Sequence, residues 1–311
     1  MGTSYDSNHQ PLPQLTMSQL EYLVEIERQE TWGEAARHLG VSSSALSQGI
    51  SQLENRLGVS LFAKAGRNRV LTADGKQVLQ YAQRVVAQTR DLAQWASRVA
   101  AGSGGVLRVG MIDLAAVALF GEDLQSFRAH RPDLDFHLEV APSAILQEKV
   151  ETGRLDLAVV VQPPINTGDL AFAPLWRDGL AVYAPQGEVA QSPQEWGPWV
   201  TFQAGSHTRD LVQQRLAQLG APFRVVGESN QPEVLREMVM LGMGWTVLPV
   251  LQAEVDPNPL VRFVDQAILT RELVIAQRHD RIDNPAAVAL ARRLQESAAA
   301  QGGGRLTPPA P

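Results

Sequence analysis

The fold of the N-terminal part of the chain is decided by residues 32–58, WGEAARHLGVSSSALSQGISQLENRLG. Two short apolar periodicities flank Gly40, a residue that readily adopts the left-handed backbone ending a helix. Ser42 or Ser43 can then cap a second helix by accepting a free backbone N–H. The second helix presents four apolar side chains on one face: Leu46, Ile50, Leu53 and Leu57. The stretch therefore predicts two helices joined by a tight turn.

The opposite face of the second helix is polar and almost uncharged. It offers short hydrogen-bonding side chains at Ser43, Ser44, Ser47, Gln48, Ser51 and Gln52. Such groups can donate to and accept from base edges in a DNA major groove, and two helices with this turn have the helix-turn-helix layout. Taken alone, the stretch fits an ordinary helical hairpin with a solvated serine face equally well.

The following segment favours the DNA-binding interpretation. In residues 61–76, LFAKAGRNRVLTADGK, apolar pairs flank a glycine-containing turn, which predicts a small hairpin, and the net charge is +3. Lys64, Arg67 and Arg69 lie at its tip. A basic hairpin beside a recognition helix is a wing that can reach the sugar-phosphate backbone.

The run from Leu20 to Gly75 resembles the winged helix-turn-helix of the LysR-type transcriptional regulators. The matching residues are AARHLGVSSSALSQGISQLENRLGVSLFAKAGRNRVLTADG, which follow the family in order and spacing. Two positions depart from the family pattern, since Ser44 stands where a proline is usual and Gln48 where an arginine is usual. The change at Gln48 indicates a different base preference rather than loss of DNA binding.

Composition narrows the classes of function. The 311 residues include no cysteine, which excludes disulfides, thiolate metal sites and cysteine nucleophiles.

The net charge of −6 is unevenly distributed: residues 1–100 carry +1 and residues 101–311 carry −7. Positive charge is therefore focused on the wing, and DNA affinity would depend on geometry and on more than one copy binding together. No apolar run is long enough for a membrane span, and residues 1–14 lack the apolar core of a signal peptide, so we expect a cytoplasmic protein without a membrane partner.

A heptad repeat follows the wing. Val78, Val85, Leu92 and Val99 recur every seven residues, and Ala82, Thr89 and Ala96 fill the positions four residues later. A helix with this stripe either packs on its own domain or pairs with a second copy, and its length favours pairing. The glycine-rich residues 102–105 predict a hinge. The resemblance implies a linker helix that pairs two DNA-binding heads.

From residue 106 the chain alternates strands and helices, which predicts α/β layers in two successive units. Within it, LAFAPLW, GLAVYAP and LVRFV each read as a separate short strand. The expected fold class is α+β multidomain: a winged helix-turn-helix (15–76), a linker helix and hinge (77–104), and a C-terminal α/β domain (105–305). The resemblance implies that this last part is an effector-binding domain like periplasmic binding proteins, with subdomain I at 105–177 and 268–305 and subdomain II at 178–267.

Several polar residues follow predicted strands or open predicted helices, where ligands of α/β sheets are commonly bound. They are Asp113, Ser143, Gln162, Ser206, His207, Thr208 and Thr246. Each could serve only as a helix cap or a solvated loop residue, but their joint placement predicts an effector site. Free N–H groups at the helix opened by Ser206 favour an anion, whereas Asp113 would oppose an anion or pair with a cationic group.

Enzymatic interpretations are weaker. Ser206, His207 and Asp210 contain the residue types of a catalytic triad, but neighbours on one helix point apart and no nucleophile-elbow motif surrounds the serine. The six histidines lack metal-ligand spacing, and no glycine-rich phosphate loop follows a strand. We therefore expect no catalytic residue, metal or cofactor.

The sequence thus predicts a LysR-type transcriptional regulator rather than an enzyme. The expected partners are double-stranded DNA, a small-molecule effector and further copies of the chain in a homodimer or homotetramer, with contact to RNA polymerase left open. The alternative is a stand-alone solute-binding or metabolic α/β protein with an incidental helical head.

Overall fold

A computed structural model describes residues 13–65, 68–101, 105–164, 170–256, 258–282 and 284–302. The chain divides into two compact units, Met1–Arg90 and Asp91–Pro311. Across the described segments, no helix combines the length and the apolar character that a membrane crossing requires.

The N-terminal unit opens with three helices: α1 (Met17–Arg28), α2 (Trp32–His38) and α3 (Ser43–Leu57). Their first free N–H groups are capped by the side chains of Thr16, Thr31 and Ser42. A two-stranded antiparallel hairpin follows, β1 (Phe62–Ala65) and β2 (Asn68–Leu71). The predicted inner stripe is confirmed, because Leu46, Ile50 and Leu53 are at most 1% exposed and Leu57 packs partly buried against them.

The heptad segment forms one long helix, α4 (Ala73–Ala101). Its start packs into the N-terminal core through Leu79, Ala82 and Val86. Ala82 is therefore not on a free seam, and that part of the predicted stripe is wrong: a helix leaving a globular head must bury its first turns against that head. On another side of the same helix, the exposed apolar side chains are Tyr81, Val85, Leu92 and Trp95. The side chain of Val99 lies outside the described residues.

The C-terminal unit is built on a six-stranded sheet. Its strands are β3 (Val106–Met111), β4 (Asp135–Val140), β5 (Leu157–Val161), β6 (Leu170–Tyr183), β9 (Thr246–Pro249) and β10 (Leu269–Arg278), and a separate parallel pair is β7 (Trp199–Thr201) and β8 (Val225–Glu228). The order in the large sheet is β4-β3-β5-β10-β6-β9. The helices are α5 (Gly121–Ala129), α6 (Ser143–Glu151), α7 (His207–Gln218), α8 (Pro232–Met240), α9 (Val250–Ala253) and α10 (Pro285–Ala300). A π-helical segment, Leu114–Leu119, precedes α5.

Two strand predictions are corrected. LAFAPLW and GLAVYAP form the single strand β6, because β10 pairs antiparallel with residues 170–180 of it, with an irregularity at Leu273/Val274. LVRFV does not form a strand; its Arg262 makes only an isolated bridge to Tyr183. The long pair β6 and β10 joins an apolar core around Leu107, Phe120 and Val159 to an aromatic core. That second core contains Trp196, Trp199 and Trp245.

Candidate nucleic-acid interface and candidate ligand cavity

The polar face of α3 is open to solvent. Ser43, Ser44, Gln48, Ser51 and Gln52 are exposed and Ser47 is half-buried. The Ser42 hydroxyl accepts the N–H of Ala45 at 3.1 Å and lies 2.9 Å from the hydroxyl oxygen of Ser44. Gln52 accepts a 3.2 Å hydrogen bond from Gln19, so this side chain is partly engaged within the unit.

The other face of α3 lies close to α1. A Cβ atom added at Gly49 would lie 2.7 Å from the ring of Tyr22, so only glycine allows this approach. Because Leu46 and Leu53 are fully buried beside it, the helix is held in one rotation about its axis. That rotation aims the serine and glutamine side chains outward.

The wing is hydrogen-bonded to the C-terminal part of α3. The Glu54 carboxylate accepts the backbone N–H groups of Leu61 at 2.7 Å and Phe62 at 3.3 Å. The Trp32 ring packs edge-on against Phe62 with centroids 5.0 Å apart. These contacts set where the hairpin stands relative to the polar face of α3.

The basic residues of the wing differ in their surroundings. Lys64 is exposed. The guanidinium of Arg69 stands 4.9 Å from the centre of the Trp32 ring, a cation–π contact within the unit. Arg67 lies outside the described residues.

The C-terminal unit contains a cavity of about 500 Å³. Four predicted effector residues line it: Asp113, Ser143, Ser206 and Thr208. The remaining lining residues are Ile112, Val140, Ala141, Pro142, Ile145, Val161, Phe202, Asn230, Gln231, Glu233 and Arg271. The carboxyl end of β3 and the N-termini of α6, α7 and α8 thus meet at one cavity.

Three predicted residues are not among the lining residues. Gln162 donates its backbone N–H to Glu272 and its amide to the carbonyl of Pro163. Thr246 is fully buried in β9, and within the described structure its hydroxyl has no hydrogen-bond partner. His207 begins α7, and its Nδ1 atom is buried without a partner among the described residues. Gln162 and Thr246 are thus held in other surroundings, although Val161, the last residue of β5, does line the cavity.

A buried ion pair supports one wall of the cavity. Arg271 and Asp178 are 4% and 2% exposed, and two guanidinium nitrogens donate to one carboxylate oxygen at 2.8 and 2.9 Å. A third nitrogen of Arg271 donates to the Thr208 hydroxyl at 2.6 Å. Burial raises the pKa of Asp178, while the charge and hydrogen bonds of Arg271 oppose this rise. The positive charge at the wall is thus largely committed to Asp178.

Two further lining groups are held by neighbours. The Ser143 hydroxyl accepts the backbone N–H of Val161 at 3.0 Å. Asp113 accepts a 2.7 Å hydrogen bond from the amide of Gln252 on α9. Each contact fixes the position of a polar atom at the cavity wall.

Sequence reasoning missed Arg271, Asn230, Gln231 and Glu233. Arg271 left one usable signal, a lone arginine within the apolar strand LTRELVIAQR. The other three carried the same signal as Ser206, since they lie between the end of β8 and the first turn of α8, and the rule was not applied to them. Among the described residues, no group of three or more histidine, cysteine, aspartate or glutamate side chains could hold a metal ion.

Comparison with known proteins gives a consistent result over both units. The family model "Bacterial regulatory helix-turn-helix protein, lysR family" matches residues 17–76, and "LysR substrate binding domain" matches residues 100–299. The chain is 26% identical over 285 residues to the uncharacterized HTH-type transcriptional regulator YfeR of Shigella flexneri, covering 88% of this chain and 92% of that one. It is 27% identical over 255 residues to the transcriptional activator IlvY of Salmonella typhimurium, covering 79% and 86%.

A solved structure shares the fold. Full-length OxyR from Pseudomonas aeruginosa, solved as a point variant, is 24% identical, with a TM-score of 0.57 over 90% of this chain and 98% of that one. The helical N-terminal unit and the α/β unit therefore occur together in a known full-length architecture. The alternative of a solute-binding protein with an incidental helical head does not explain why family models of lysR type match both the N-terminal and the C-terminal part of the chain.

Proposed function

Because the chain belongs to the LysR family and is a DNA-binding transcriptional regulator with an effector-binding domain, we propose that α3 reads base edges while the cavity binds the effector. The observation that carries this proposal is the exposed, uncharged face of α3 on a helix whose opposite face is buried. A rigid helix with short hydrogen-bonding side chains is suited to a major groove.

We assign base contacts to Ser43, Ser44, Ser47, Gln48 and Ser51. Gln48 is the main candidate for specificity, because a glutamine amide can donate to and accept from one adenine edge. Within the described part of the chain, its exposed amide has no protein partner. Gln52 adds a weaker contact, since its oxygen is already used by Gln19.

Phosphate contacts belong to the wing in this proposal. Lys64, Arg67 and Arg69 supply positive charge that displaces counterions, which makes affinity depend on salt but not on sequence. Lys64 is exposed, whereas Arg69 would have to leave the Trp32 ring or reach phosphate from it.

We propose that two copies pair through α4. Its exposed apolar residues, Tyr81, Val85, Leu92 and Trp95, follow spacings of four, seven and three, which places them on one side of the helix. Exposed apolar side chains at such spacing support a helix–helix seam. A homodimer would present two reading heads to two half-sites, and a homotetramer is the larger assembly that we expect from the family.

Effector binding is assigned to Asp113, Ser143, Ser206 and Thr208, to which we add Arg271. The cavity separates two proposed subdomains, joined by β6 and β10. An effector can shift the arrangement of the heads only if it binds two arrangements with different affinities. The chain acts in this proposal as a cytoplasmic regulator without catalysis, where chromosomal DNA is available to it.

The proposal is tested on the full-length protein with a duplex obtained by selection from random sequence. We expect Gln48→Ala to change the preferred sequence at one or two positions, at about 1–3 kcal/mol of discrimination. Lys64→Ala should weaken all duplexes equally and reduce the slope of log affinity against log salt by about 1. Gln213→Ala, at an exposed position of α7, is the matched control and should change neither.

Two outcomes would contradict these assignments. An unchanged preference in the Gln48→Ala protein removes the base contact. Failure of the wild-type protein to prefer any duplex over competitor DNA removes the proposed function itself.

A further inference from the structure

We propose that the cavity ligand is a small zwitterion with an apolar side chain, an α-amino acid or a close analogue, whose carboxylate lies at α6 and α7 and whose ammonium lies at Asp113. This inference rests on the proposed function, since it names the chemical class of the effector. It follows from hydrogen-bond donors and uncompensated acidic groups that line the same cavity.

The donors come from helix ends that have no side-chain cap. In the described structure, the N-termini of α6 and α7 have no cap hydrogen bond from Pro142 or Ser206. Among the other helices, α1, α2, α3 and α10 are capped by a side chain, whereas α5, α8 and α9 are not. Uncapped N–H groups and the helix dipole both favour a negative group, and α6 has no acidic residue in its first turn. A ligand carboxylate would supply the missing acceptor.

Two buried hydroxyl groups add further donors. Ser143 is 7% exposed and Thr208 is 4% exposed, and both line the cavity. The Ser143 oxygen accepts from Val161 and the Thr208 oxygen accepts from Arg271. A hydroxyl has one hydrogen to donate, and in both residues the contacts among the described part of the chain use only the oxygen. Each hydrogen is therefore left for a ligand acceptor.

The acidic residues of the lining favour a positive group on the ligand. Asp113 and Glu233 are the carboxylates of the lining, and Arg271 is its cation. Because Arg271 is paired with Asp178, its charge does not neutralise Asp113 or Glu233. A simple carboxylate or phosphate ligand would be repelled by the uncompensated acids, and a simple amine would leave the helix N–H groups and hydroxyls without an acceptor. A ligand carrying both charges satisfies both requirements.

The rest of the lining sets the side chain. Ile112, Val161 and Phe202 are at most 7% exposed and line the cavity. Burying an apolar group against them is favourable, and about 500 Å³ lies within the usual range for small-molecule sites. We therefore assign an aliphatic or aromatic side chain to the amino acid.

The test measures binding to the full-length protein by isothermal titration calorimetry. The twenty common amino acids are screened first by thermal shift, and L-leucine is compared with 2-hydroxy-4-methylpentanoate, which lacks the ammonium, and with 3-methylbutylamine, which lacks the carboxylate. If another amino acid shifts the melting temperature more, its own two analogues replace these. We expect an apolar amino acid to bind, and loss of either charged group to weaken binding about ten- to hundredfold.

Substitutions in the lining test where the ammonium and the carboxylate of the ligand bind. Asp113→Asn keeps an oxygen that can accept from Gln252, and it should weaken the amino acid at least about tenfold while leaving the hydroxy acid unchanged or tighter. Ser143→Ala should weaken both ligands. Asp133→Asn, an exposed aspartate of the same unit outside the lining, is the matched control and should change neither. Circular dichroism of each unliganded variant checks that the fold is retained.

The outcomes separate this inference from the proposed function. Equal binding of the hydroxy acid and the amino acid to the wild-type protein, unchanged amino-acid affinity in Asp113→Asn, or no binding of any amino acid would overturn the inference while selective DNA binding stands. Amino-acid binding without duplex selectivity would leave the inference standing and remove the proposed function.

Discussion

Replacing Arg271 by methionine tests the role of the buried ion pair at the cavity wall. The substitution keeps a long apolar side chain but leaves the Asp178 carboxylate, which is 2% exposed, without its cation. Breaking one partner of a buried pair costs about 3–5 kcal/mol, because an uncompensated charge remains in the interior. Thr208 loses its 2.6 Å donor as well. We expect the free energy of unfolding of the C-terminal unit to fall by about that amount near neutral pH.

The loss should depend on pH in a defined direction. Burial already raises the pKa of Asp178 above its ordinary value of 3.8, and without Arg271 the pKa rises further. A carboxyl group with a raised folded-state pKa contributes stability that is present below 3.8 and lost as the pH rises through the folded pKa. The deficit of Arg271→Met should therefore be larger at about pH 8 than at about pH 5.

Urea denaturation followed by tryptophan fluorescence is a suitable assay, because Trp196, Trp199 and Trp245 pack in one core with Leu269, close to Arg271 in β10. The double variant Arg271→Met/Asp178→Asn removes both charges and should regain about half or more of the lost stability. Arg292→Met, at a side chain that is 80% exposed, controls for removal of an arginine and should cost less than about 1 kcal/mol. A double variant as unstable as Arg271→Met, or a deficit independent of pH, would refute the reasoning.

Three other predictions concern local contacts. Ser42→Ala should lower the stability of the N-terminal unit by about 1 kcal/mol in thermal unfolding, since it removes the cap of α3, whereas Ser43→Ala should cost less and act mainly on DNA affinity. Gly75→Ala should prevent normal packing of the wing, because a Cβ atom there would lie 2.1 Å from the Leu61 carbonyl oxygen; a native circular dichroism spectrum with unchanged melting would contradict this. Partial burial disfavours the ionised form of Glu254, but hydrogen bonds from Arg262 and Tyr183 outweigh this effect and lower the pKa of Glu254. The ionised carboxylate therefore stabilises the folded protein above pH 4.5, and this stabilisation is lost as the pH falls through the folded-state pKa. Glu254→Gln should therefore flatten the acid side of the stability profile, and an unaltered profile would exclude the effect.

Local sequence was sufficient where structure depends on neighbours along the chain. The turn at Gly40, a serine cap at position 42 or 43 and the buried stripe containing Leu46 and Leu53 all follow from spacings of four residues or fewer, and the structure has the cap at Ser42. The same kind of pattern predicted α4 as one long helix. It did not show that Ala82 is buried, because the contact that covers it comes from residues distant in sequence.

The cavity shows the opposite case. Asp113, Ser143, Ser206 and Thr208 were predicted because each follows a strand or opens a helix, a property of the local chain. The same reasoning also selected Gln162, which follows a strand, and Thr246, which was placed in a loop beside Gly244 and Trp245. Neither is in the lining, since local position says nothing about what packs over a residue.

The sequence by itself determined the helix-turn-helix, the polar face of α3, the basic wing and the α/β character of the C-terminal unit. Those features depend on periodicity, on glycine and cap positions and on charge, all of which are readable within a few residues. Only the tertiary structure decided that β6 is one strand paired with β10, that Arg271 is neutralised by Asp178, and that three helix ends meet beside Asp113. These are pairings between segments that are far apart in the chain, for example 93 residues for Arg271 and Asp178, and no local pattern specifies which segments come together.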